Sequence, residues 1–218
     1  MPSAPISPRL IKGGLVLIDP TTSAVLRVIV LQYNPDTVTR TLQAQGMGPN
    51  ADRSEALRLK GPAVETIKLE AELDATDQLE QADQNPSTVQ YGILPQLAAL
   101  ETILYPSTAQ LQSNHSLAQA GTLEIVPMET PLLLFVWTRN RVLPVRMTDF
   151  SITEEAFDPA LNPIRAKVSL GLRVLSVDDL GFDHKGGNLF MAYLRQKEAL
   201  ASRSPSGSLS GLGIEQIP

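Results

Sequence analysis

Cysteine is missing from this 218-residue chain. That one absence removes disulfides, thiolate zinc sites, iron-sulfur clusters and a cysteine nucleophile together. Histidine is scarce. His115 lies in the polar stretch SNHS and reads as a solvated loop residue, while His184 stands beside Asp183 in DHKGG without an apparent third ligand. No metal site and no cofactor are expected. Long apolar runs are absent too: none approaches the ~20 residues that span a bilayer. Prolines in MPSAPISPRLIKGG occupy the place where an export signal needs its apolar stretch. The expectation is cytoplasmic assembly without membrane insertion. Nor is positive charge in excess, since the formal net charge is −5. General binding to nucleic acid or anionic membrane needs clustered cations and is not expected.

Catalytic and nucleotide signatures are equally thin. The glycine pairs at 13–14 and 186–187 lack the strand-loop-helix context of a dinucleotide fingerprint. Glu154-Glu155 and Asp178-Asp179 are sequence neighbours whose carboxylates point apart on a strand or turn, which makes them poor acid-base couples. KGGN before the last helix reads as a turn with an Asn cap at Asn188. There is no internal repeat, and an enzyme is not expected.

Extended structure dominates what is present. GLVLIDPTTSAVLRVIVLQYNP reads as a hairpin turning at DPTTS, its second run halted by Asn34-Pro35, and TVTRTLQ resumes as a strand. Residues 44–62 carry Gly, Pro and charge without a period and read as a long loop. In VETIKLEAELD, Ile67, Leu69, Ala71 and Leu73 alternate with Lys68, Glu70 and Glu72, giving one buried and one charged face. Ile93, Leu94, Leu97, Leu100, Ile103 and Leu104 recur at helical spacing, which predicts a helix over 88–105 that becomes regular near Pro95 and ends at Pro106. Residues 76–88 and 107–130 read as polar connections, PLLLFVWT as a strand buried on both faces, and NLFMAYLRQKEALAS as a terminal helix before a Ser/Gly tail.

The longest alternation is LNPIRAKVSLGLRVL. Ile164, Ala166, Val168, Leu170, Leu172 and Val174 point one way; Arg165, Lys167, Ser169, Gly171 and Arg173 point the other. Ordinary sandwiches and lipocalin-like barrels use such strands, and each Asn-Pro is good turn chemistry by itself.

Taken in order, Tyr33-Asn34-Pro35 at the end of an early strand and Asn162-Pro163-Ile164-Arg165-Ala166 leading into a late one resemble the tube-domain proteins of contractile injection systems and phage-like tails. The likeness is to the baseplate proteins on which the inner tube begins, and it spans residues 10 to 177. It implies an α+β, mainly-β domain of two packed antiparallel sheets forming a tube-protein-like barrel with a flanking helix, plus a C-terminal helix. The expected division is an arm over 1–12, the tube-like domain over 13–178, a helical extension over 179–201 and a flexible tail over 202–218. The implied role is a hexameric ring between a trimeric spike hub and the inner tube, touching other baseplate subunits. Tyr33, Asn34, Pro35, Lys68, Glu70, Glu72, Asn162, Pro163, Arg165, Lys167 and Arg173 are then the candidate interface residues. Relatives at the tube base carry a lysin-motif module after this domain, whereas a Ser/Gly tail stands here, so loop 44–62 and the last helix are expected to make the adaptor contacts. The alternatives are the repeating tube protein itself and a monomeric β-barrel that binds a small apolar ligand.

Overall fold

The computed structural model describes residues 10–46, 58–121 and 130–217. Most of the expected arm and the middle of loop 44–62 lie outside these. Seven strands, β1 (Gly14–Ile18), β2 (Val25–Val30), β3 (Val38–Gln43), β4 (Val64–Asp74), β5 (Leu132–Thr138), β6 (Arg141–Phe157) and β7 (Pro163–Val174), form one antiparallel sheet in the order β2-β1-β5-β6-β7-β4-β3. This corrects the expectation of two packed sheets closing into a barrel: among the described residues the hydrogen-bonded sheet is single and open, with β2 and β3 at its edges.

One long strand produces a layered core from that single sheet. The first residues of β6 pair with β5 up to Val145, and from Val145 onward β6 pairs with β7. Three register shifts, between Met147 and Asp149, Glu154 and Ala156, and Ala156 and Phe157, act as bulges that bend and twist the strand. The halves on either side of β6 then share one core, in which Leu15, Leu31, Leu133 and Phe135 meet Ile67, Leu69, Val168, Leu170 and Leu172. Gln32, just after β2, closes the far side: its amide donates to Asp74 O at 2.6 Å and its carbonyl accepts from Asp74 N at 3.0 Å. A strand serving two partners needs its length, which accounts for the 17 residues of β6 and the 12 of β7.

β5 is covered on both faces because its odd residues, Leu133 and Phe135, enter the main core. Its even residues, Leu132 and Leu134, meet a smaller cluster with Leu180 and Leu189. Those two leucines come from α5 (Val177–Leu180) and α6 (Lys185–Ala201), counted after the helices of the middle segment. Phe190 and Tyr193 of α6 are themselves part of the main core. The α6 cap is His184, whose Nδ1 accepts from Gly186 N, and not the expected Asn188, which lies inside the helix.

The middle segment holds α1 (Thr76–Leu79), a short 3-10 turn at Ala82–Gln84, α2 (Pro86–Tyr91), α3 (Leu94–Glu101) and α4 (Thr108–Gln119). The single helix expected over 88–105 is thus two, broken at Gly92. The stretch expected as polar connection holds α4, started by a capping box in which Ser107 accepts from Gln110 N while the Gln110 side chain accepts from Ser107 N.

Candidate functional site

Both Asn-Pro turns are spent inside the chain. Asn34 Oδ1 accepts from Gly13 N and its Nδ2 donates to Ile11 O, both at 2.9 Å, so this side chain pins the segment entering β1 to the end of β2. Pro35 is half-buried beside it, and Tyr33 remains exposed. Asn162 is a latch at the other end. Its Nδ2 donates to Gln90 O at 3.2 Å and Asp158 Oδ2 at 2.9 Å, and its N–H donates to Asp158 Oδ1. Those bonds from the Asn162 side chain and backbone hold the Asp158 carboxyl below its ordinary range. The carbonyl of buried Pro163 accepts from Ile93 N at 2.8 Å. Gly92 sits over that carbonyl at φ 58°, ψ −131°, where a Cβ would lie 2.1 Å from the oxygen. Close approach, together with a backbone conformation open only to glycine, is what divides α2 from α3.

The remaining candidates share the outer face of the sheet. Antiparallel register sets Asp74 opposite Arg165, Glu72 opposite Lys167, Glu70 opposite Ser169, Lys68 opposite Gly171 and Thr66 opposite Arg173. Arg165 Nε donates to Asp74 Oδ2 at 2.8 Å, which raises the guanidinium's pKa; Lys167 meets Glu155 at 3.2 Å, which does the same for its ammonium. Asp74 is lowered chiefly by the Thr76 hydroxyl and less by Arg165. Arg173 instead reaches Asp179 at 2.7 Å, tying β7 to α5. Ser151, Thr153 and Thr39 extend this face, which is hydrophilic and mixed in charge over its centre, with Val64 and the half-exposed Phe157 at its ends.

Three features were not singled out from sequence. Glu65 is 3% exposed, yet it accepts from Arg40 Nε at 2.7 Å, Lys197 Nζ at 2.9 Å and the Tyr193 hydroxyl at 3.2 Å. Burial alone would raise its pKa and is the largest influence, but the hydrogen bonds and charges of Lys197 and Arg40 together outweigh it and leave it lowered. This knot locks α6 onto β3 and β4. α4 has no buried residue, with Leu111 and Leu117 about half exposed, so it stands off the body. β2 is the third: Val25, Leu26, Val28 and Val30 are 61%, 55%, 57% and 57% exposed on an edge strand. Native edges are ordinarily blunted by charge or proline, and this one carries only Arg27. The legible signal was the absence of alternation in VLRVIV.

No helix is long and apolar enough to cross a membrane among the described residues. No protein-family model matches the chain, and no curated protein does. Among solved structures, a chain from the tail of an empty GTA particle, determined by helical refinement with C6 symmetry, is 9% identical over 74% of this chain and 90% of that one, with a TM-score of 0.29.

Proposed function

We propose that the chain is a structural subunit of a contractile, phage-tail-like injection apparatus, forming a hexameric baseplate ring that joins the spike hub to the inner tube and starts tube assembly. The observation carrying this reading is the β2 edge, whose apolar side chains Val25, Leu26, Val28 and Val30 are more than half exposed along a backbone unpaired among the described residues. An isolated protein has no use for such an edge, and strand addition by a partner satisfies both its apolar surface and its free N–H and C=O groups. The two Asn-Pro motifs, in order around the intervening helices, support the same assignment. Their asparagine side chains are hydrogen-bonded within the chain, which rigidifies the subunit, and the candidate surfaces for partners are the β2 and β3 edges, the polar outer face and α4.

Ring closure is heterologous, each copy offering different surfaces to its two neighbours. The polar face turns toward a water-filled channel, for which mixed charge and short hydroxyl side chains are suited. One rim of the ring takes the hub and the other the first tube ring, so the work is templating rather than catalysis. A ligand-binding barrel would instead enclose its cavity, and here the sheet is open with a groove along its edge. Deleting the chain from a producing strain tests the role: hub assemblies should accumulate without tubes, and complementation should restore them. Normal numbers of full-length particles after deletion would overturn it.

A further inference from the structure

A groove of about 420 Å³ runs along the open edge of β2, walled by Val28 and Val30 on one side and by Leu73, Pro95, Gln96 and Leu100 on the other. Three of its features describe an occupant. Among the described residues, the backbone of β2 on this side has no strand partner. Gln96 lines the groove, and its Oε1 is buried without a hydrogen-bond partner among the described residues. Arg27 lies at the groove, donates to Ala99 O and Thr102 Oγ1, and has no carboxylate partner among the described residues. The complement is an extended segment with small residues for close approach, two or three apolar side chains and one acid.

The chain carries such a segment. Ser208–Ile217 reads SLSGLGIEQI: Leu212 and Ile214 alternate with Gly211 and Gly213, and Glu215 follows. Every residue from 202 to 217 is exposed, Leu212 and Ile217 by 77% and 76%. The segment is folded on itself only by a 3-10 turn at Leu209–Leu212 that Gly213 ends. We propose that the β2 groove receives residues 208–217 of a second copy as an added strand, with Leu212 and Ile214 in the apolar wall and Glu215 at Arg27.

The single chain does not fill its own groove: residues 202–217 are all exposed and none of them lines it. The same residues of a copy beside it in the ring are then free to enter. The inference rests on the self-assembly proposed above and names which surfaces meet.

Absence of native cysteine makes the test direct. Full-length Val28→Cys and Ile214→Cys chains, distinguishable by a tag, are mixed, concentrated and oxidised. A mixed disulfide dimer is expected, reduced at least several-fold when Arg27→Glu is added to the Val28→Cys chain. Trapping of Val28→Cys by Leu42→Cys of another copy would instead mean direct joining of sheet edges and overturn the inference. A disulfide formed within single chains carrying both substitutions would assign the groove to the chain's own tail and overturn it as well. No mixed dimer, with the chain still entering particles as a ring, would sink the tail contact while leaving the ring; loss of both would sink the two together.

Discussion

Gly92→Ala removes the one conformation that lets the helical segment fold back onto the Asn162-Pro163 turn. Two costs add. A non-glycine residue at φ 58°, ψ −131° carries about 1–3 kcal/mol of backbone strain. A Cβ 2.1 Å from Pro163 O also forces that carbonyl away from Ile93 N, which loses a buried hydrogen bond at about 1–2 kcal/mol. Together they give about 2–5 kcal/mol, a large part of the ~5–15 kcal/mol that holds a domain. At ~2–4 °C per kcal/mol for a chain of this size, the midpoint should fall by about 4–20 °C. Gly181→Ala is the matched control: its φ 76°, ψ 166° is equally a glycine conformation, but nothing lies within 4 Å of its added Cβ. Urea unfolding followed through the single tryptophan, Trp137, reads both. Gly92→Ala should be the more destabilised by about 1–2 kcal/mol. Equal loss in the two variants would refute the crowding against Pro163, and a loss under about 0.5 kcal/mol at Gly92 would refute the latch altogether.

Leu170 is 1% exposed at the centre of β7, so Leu170→Asp should abolish cooperative unfolding; a near-native melt would mean the strand's faces are reversed. Glu65, held below its ordinary pKa of 4.5 in the folded chain, contributes stability above that value that is lost as pH falls through the folded one. Glu65→Gln should cost about 1–3 kcal/mol at neutral pH and flatten the stability profile below pH ~4.5, whereas an unchanged acid slope would deny the carboxylate that role. Arg165→Glu places a fourth carboxylate beside Asp74, Glu72 and Glu155 on the outer face; the variant should melt near the wild-type temperature yet fail to enter particles, and normal incorporation would exclude Arg165 from assembly.

Alternation made β4 and β7 legible down to individual faces, because a half-buried strand writes its environment into every second residue. Lys68, Glu70, Glu72, Arg165 and Lys167 are all exposed as the pattern required. The sheet count was not legible. Whether strands make two sheets or one depends on the change of partner at Val145, a property of bulges and pairing that leaves no period in the sequence. The break at Gly92 was hidden because apolar spacing continues across it, and its cause, the Pro163 carbonyl, is 71 residues away in the chain. α4 was missed for the opposite reason: it has no buried face to impose a period, although STAQ carries the capping-box signature. The Asn-Pro motifs located the structurally important turns correctly, but their side chains are consumed by Ile11, Gly13, Gln90 and Asp158, while the open surface lies on the unpatterned VLRVIV.

The copy number of this chain relative to the main tube protein, measured by quantitative mass spectrometry of particles pelleted from producing cells, decides the role most directly. A single closed ring predicts about six copies per particle beside a large excess of tube protein. Copies in the hundreds would make the chain the tube itself, and absence from any particle would contradict the assignment to the apparatus.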